Sequence, residues 1–179
     1  MLVPIVAIAV VLISMVGRRK VAIRRKMHTE PEVLHAVPNV GIENLTAGTL
    51  AWLRLYAIAA AAKGIPITAT SGRRDPRRQA AAMIAKVERG EDLHALYRDD
   101  AQITELLSGP KTVERWTAII EKYAANGKGI SNHLSGRAVD IRSRDWTPTQ
   151  LQEASALAAA MGARRAIIES DHLHIEVGQ

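Results

Sequence analysis

Two short stretches of this chain carry residue types that together can do metal chemistry. The first is Ser131-Asn132-His133-Leu134-Ser135-Gly136-Arg137-Ala138-Val139-Asp140; the second is Glu169-Ser170-Asp171-His172-Leu173-His174. Two histidines and one carboxylate give a borderline-soft cation three ligands and leave a fourth position for water, the composition of catalytic rather than structural zinc sites. Such a site points to hydrolysis. The chain has no cysteine, which excludes disulfides and thiolate ligands.

Local patterning supports the pairing. Arg137 to Ile141 has strand character, and period-two alternation puts Val139 and Ile141 on one face and Ala138 and Asp140 on the other. His133 precedes a Ser-Gly pair that lets the loop fold back toward Asp140. From His172 to Val177 apolar and polar residues alternate strictly, so His172, His174 and Glu176 share a face. Glu176 reads as a carboxylate supporting a ligand histidine rather than as a ligand.

Ser131, His133, Gly136, Ala138 and Asp140 match the S-x-H-x-x-G-x-A-x-D signature of the zinc D-alanyl-D-alanine carboxypeptidase and L-alanyl-D-glutamate endopeptidase family, and His172-Leu173-His174 resembles its H-x-H motif. Ser71-Gly72-Arg73-Arg74 is similar to the family's S-G-x-R segment, although Arg73 stands where many relatives have an aromatic residue. The resemblance runs from about Gly41 to Val177. It implies a hedgehog-like fold, zinc held by His133, Asp140 and His174, and Asp171 as general base. It further implies Arg74 as a substrate-holding residue in a pocket shaped by Ser71. His172 is placed to hydrogen-bond the developing oxyanion, with Glu169 and His172 as substitutes for Asp171. The implied substrate is a peptide of peptidoglycan, cleaved by endopeptidase or D,D-carboxypeptidase action. Some relatives of this fold hold zinc and chiefly bind, so a wall-binding module with little turnover is the alternative.

The remaining elements read as the scaffold for these residues. Thr46 to Lys63 is rich in helix formers and closed by Gly64. Ile65 to Thr70 looks like a short strand delivering Ser71 and Arg74, with Pro66 at its edge or first position. Asp75-Pro76 starts a helix running to about Arg89, and Thr147-Pro148 starts another ending near Met161-Gly162. A mostly helical segment lies between Gly90 and Gly129, and Ala166 to Ile168 is a further strand. The expected class is α+β, a small antiparallel sheet flanked by helices, with an N-terminal apolar helix.

At the N-terminus, Leu2 to Val16 carries no charge and is followed by Arg18, Arg19, Lys20, Arg24, Arg25 and Lys26. Basic residues ahead of the apolar stretch and a small-residue cleavage site are both missing, so the reading is an uncleaved membrane anchor over residues 1–17, a basic juxtamembrane linker over 18–40 and a zinc peptidase domain over 41–179. Cations after the anchor favour a cytoplasmic C-terminal side, whereas peptidoglycan lies outside. An overridden topology signal, retention until lysis, or the membrane of a virus particle reconciles the two. The chain has 24 Lys and Arg against 18 Asp and Glu, and much of the excess sits in those two clusters, where anionic headgroups account for it. Aromatic residues make up only 3% of the chain, so a basic stripe interleaved with aromatics is missing and no nucleic-acid partner is expected.

Overall fold

The computed structural model describes residues 34–97 and 100–178. Helix starts follow local chemistry. Thr46 caps α1 (Ala47–Ala61), its hydroxyl accepting from Thr49 N. Asp75 caps α2 (Pro76–Glu88), accepting from Arg78 N at 2.7 Å with proline at the first turn. Two short helices, α3 (Leu93–Leu96) and α4 (Asp100–Leu107), lead to α5 (Val113–Ala125). Thr147 and Gln150 form a reciprocal capping box at the start of α6 (Pro148–Ala160).

The strands are β1 (Leu34–Ala36), β2 (Ile67–Ser71), β3 (Ala138–Arg142), β4 (Ala163–Ile168) and β5 (His172–Val177), in one sheet of order β1-β2-β3-β5-β4. The expectation of an antiparallel sheet is corrected here: β1 runs parallel to β2, and the sheet is mixed. Parallel neighbours need a crossover, and α1 supplies it between β1 and β2. β1 lies within the stretch read as linker, so the sheet begins upstream of Gly41. Pro66 immediately precedes β2, where its missing N–H costs no ladder bond.

Two apolar clusters hold the domain. One face of the sheet (Ile67, Ala69, Val139, Ile141, Leu173, Ile175 and Val177) packs on Leu53, Tyr56, Ala57 and Ala60 of α1 and on Ala154 and Ala158 of α6. The second cluster is helical, joining α2, α3, α4 and α5 around Met83, Leu93, Ile103, Leu106, Trp116 and Ile120. The polar face of the sheet is left to the residues singled out by sequence. Among the described residues no helix is long and apolar enough to cross a membrane; the expected anchor, residues 1–17, lies outside them.

Candidate metal centre

Direct cross-strand partners place their side chains on one face, so the ladder itself assembles the site. Asp140 pairs with His174, and His174 pairs on its other side with Ile167. Ser71 pairs with Asp140 only because β2 has an irregularity between Ala69 and Ser71. Strict alternation from Ile67 and Ala69 would have sent Ser71 to the apolar face; the extra residue turns it to Asp140.

His133, Asp140 and His174 each offer a ligand atom, and these atoms lie within 4.8 Å of one another. His133 and Asp140 are buried, with His174 partly so. His133 Nε2 lies 3.2 Å from Asp140 Oδ1 and 3.3 Å from His174 Nδ1, and His174 Nδ1 lies 2.8 Å from Asp140 Oδ1. The far nitrogens are anchored as well. His133 Nδ1 is 2.6 Å from the carbonyl of Gly72, which can only accept, so the proton sits there and Nε2 keeps its lone pair for the site. His174 Nε2 faces Glu176 Oε1 at 3.6 Å. Ligand histidines are held in this way, by an acceptor on the nitrogen away from the metal.

The charges fit a cation at the same point. Burial alone would pull the His174 imidazole down, but hydrogen bonds to Asp140 and Glu176 outweigh it and hold the group up to about 9. One proton on His174 Nδ1 is then shared between His133 Nε2 and Asp140 Oδ1, and a divalent ion would replace it. Burial pushes the His133 imidazole down, against the pull of Asp140. Burial alone would raise the Asp140 carboxyl, but the imidazoles and the Arg74 guanidinium hold it well below the usual carboxylate range.

Arg74 is in the site, but its donors serve the site first. Nη2 reaches Asp140 Oδ2 at 2.5 Å and Nε donates to Ser71 Oγ at 2.8 Å. Asp140 Oδ1 is thereby left to the histidines. His172 also reaches in, its Nε2 lying 3.2 Å from Glu169 Oε2 and 3.6 Å from Asp140 Oδ1. Asp171 does not line the same cavity. Its side chain is 67% exposed and lies behind His172, with Oδ1 2.6 Å from His172 Nδ1. β5 starts only at His172, so Asp171 belongs to the preceding turn, where its carbonyl accepts from Ser143 N. Glu169, on the cavity wall, is tied to Lys86 Nζ and His172; burial would raise its carboxyl, but these two partners hold it down to about 2.

The cavity over this face, about 220 Å³, has the strands for its floor, Gly129 to His133 along one side and Lys86, Leu96 and Tyr97 on the helical side. Lys86 and Glu169 form the part of the site least visible in sequence. The available signal is that Lys86 follows Met83 by three on the buried side of α2, a place for an apolar residue.

Because Glu176 fixes the orientation of His174, Glu176→Gln is expected to weaken metal affinity about 10- to 100-fold while leaving the three ligands in place. Competition with a chromogenic chelator measures it, and unchanged affinity would mean that the 3.6 Å contact is incidental. Comparison with protein-family models, with curated proteins and with solved structures finds no match to this chain, so the family resemblance stands on the motif residues alone.

Proposed function

We propose that this chain is a zinc-dependent hydrolase of peptide bonds in the peptide stems or cross-links of peptidoglycan. The observation that carries the reading is the convergence of His133 Nε2, Asp140 Oδ1 and His174 Nδ1, with the opposite nitrogens of both histidines anchored. His133, Asp140 and His174 would hold the ion. When bound, zinc would lower the pKa of a ligated water from ~15.7 to about 7 and polarise the scissile carbonyl.

The chain's own residues account for the rest. Asp171 sets the imidazole of His172 through Nδ1, leaving Nε2 turned to the cavity between Glu169 and Asp140. His172 Nε2 is thus placed to hydrogen-bond the oxygen on which negative charge develops. Asp171 remains the proposed proton acceptor, acting either directly after a turn of its side chain or by relay through His172. Arg74, held by Ser71 and Asp140, presents its remaining amino group to a substrate carbonyl or carboxylate. An N-terminal membrane anchor over residues 1–17, on a cell or virus-particle membrane, is part of the same proposal.

The test is incubation of the full chain with purified peptidoglycan with and without a chelator, followed by product masses. Chelator-sensitive release of D-alanine identifies a carboxypeptidase, and new L-alanine and D-glutamyl termini identify an endopeptidase. No cleavage by protein holding one zinc per chain would overturn the enzyme reading in favour of a wall-binding module. Asp171→Ala is expected to lose hydrolysis with zinc retained; unchanged hydrolysis would transfer proton acceptance to Glu169 or His172.

A further inference from the structure

The cavity above the sheet holds more positive charge than the metal cluster uses. On the helical side both cations are committed, Arg74 to Asp140 and Lys86 to Glu169 and Glu91. At the opposite end β4 contributes Arg164 and Arg165 to the wall. Neither is committed in the same way. Arg164 is exposed and its side chain makes no hydrogen bond or ion pair with the described residues, and Arg165 Nη1 stands 4.0 Å from Glu176 Oε1, a carboxylate already facing His174.

The ladder shows how both arginines reach the cavity. Ala163 pairs with Val177 and Arg165 with Glu176, so β4 has one residue too many between them. Ala163 and Ala166 both pack against the apolar cluster under the sheet, an odd spacing that strict alternation forbids. The bulge at Arg164 reverses the parity and turns Arg165 and Ile167 up to the site face. Bulges beside active sites re-aim side chains in this manner. Charged residues also guard edge strands against pairing, but that purpose needs a charge at the rim, not two cations in a cavity wall.

We propose that Arg164 and Arg165 form a subsite for a carboxylate of the substrate peptide. The inference rests on the peptidase reading above and specifies its substrate. Of the two guanidinium groups only that of Arg165 stands beside a carboxylate, Glu176, so the pair keeps a net positive charge, and the planar fork of arginine matches a carboxylate. Arg165 lies two strand positions from Ile167, the partner of His174, a separation of about 7 Å. The recognised carboxylate therefore belongs to a peptide residue about two positions from the bond cleaved. It is either a side-chain or glutamyl carboxylate within the stem or the C-terminal carboxylate.

The test compares stem peptides carrying free carboxylates with peptides amidated at the internal glutamyl carboxyl or at the C-terminus. Hydrolysis by the zinc-loaded full chain is followed in parallel with binding of an analogue whose scissile amide is reduced. The native chain is expected to prefer the free carboxylate by about tenfold, in KM rather than kcat. Which amidation removes the preference identifies the carboxylate. In Arg164→Gln/Arg165→Gln the preference is expected to fall toward parity. Arg164→Gln alone, which removes a side chain with no hydrogen bond or ion pair to the described residues, is expected to lose part of the preference and guards against a disturbed Glu176. Absence of a preference in the native chain, its persistence in the double variant, or equal weakening of all peptides would overturn the subsite. If no peptide is cleaved but the reduced analogue binds with a preference that the variant loses, the subsite stands and the peptidase reading falls; cleavage without preference gives the reverse.

Discussion

Asp140→Ala is expected to abolish metal retention and hydrolysis together, with activity down on the order of 10³-fold or more, and to destabilise the protein even without metal. Asp140 is 3% exposed and joins the two ligand histidines to the arginine, with His133 and His174 on Oδ1 and Arg74 on Oδ2. Removing it leaves Arg74, only 14% exposed, facing two histidines with no counter-charge. Breaking one side of such a pair costs more than the pair is worth, about 2–4 kcal/mol here, allowing for partial exposure of the arginine. Urea unfolding of metal-free protein measures the cost and metal analysis of the loaded protein measures the loss. The comparison is sharpened by pH. In the metal-free protein His174 is held up to about 9, so its contribution is complete below the unfolded value near 6.5 and is lost as pH rises from there toward 9. Asp140 supplies much of that hold, so the alanine variant should show a smaller fall in stability over this window. Asp140→Asn keeps the shape but removes the charge, and is expected to lose metal while recovering part of the stability. A variant that still binds one zinc per chain would remove Asp140 from the ligand set.

What was legible in the sequence is what is decided within a few residues. Thr46, Asp75-Pro76 and Thr147-Pro148 mark three helix starts because the side chains of Thr46, Asp75 and Thr147 each accept from the N–H three residues on. The alternation in β3 and β5 put Asp140, His174 and Glu176 on one face because strand pleating has a fixed period. The parallel strand β1 was not legible: three residues give too short a run for periodicity, and its pairing with β2 depends on α1 between them. The irregularities in β2 and β4 are properties of pairing, not of either strand alone, yet they decide that Ser71 and Arg165 face the site. The Lys86–Glu169 pair joins residues 83 apart, and the carbonyl that anchors His133 comes from Gly72, 61 residues away. Asp171 shows a similar limit. The family resemblance implied a general base beside the metal there, but the turn ahead of β5 carries its carboxylate to the outer edge of His172.

Gly72→Ala is expected to damage folding and metal binding at once, and this explains a glycine at that point of the S-G-x-R segment. Here two backbones cross. Gly72 N donates to Val40 O at 2.7 Å and Arg73 N donates to Gly41 O at 3.0 Å. A Cβ on Gly72 would stand 2.6 Å from Gly41 O, and one on Gly41 would stand 2.1 Å from Arg73 O. Real Cβ atoms do not approach a carbonyl oxygen so closely, so alanine must push the two segments apart and stretch both hydrogen bonds. Overpacking against backbone costs about 1–3 kcal/mol, and a weakened hydrogen bond adds about 1 kcal/mol. The displaced atom that matters for function is Gly72 O, because it is the acceptor that holds the proton on His133 Nδ1. Moving it frees the imidazole to turn or change tautomer, and metal affinity is expected to fall about 10- to 100-fold beyond any loss of folded protein. Gly64→Ala provides the control: Gly64 has a positive φ, 71°, but a Cβ there meets nothing within 4 Å, and it lies just past the end of α1, away from the site. It is expected to lose about 1 kcal/mol of stability from backbone strain alone, with metal affinity unchanged. Equal effects of the two substitutions on metal affinity would show that the crossing of Gly41 and Gly72 does not position His133.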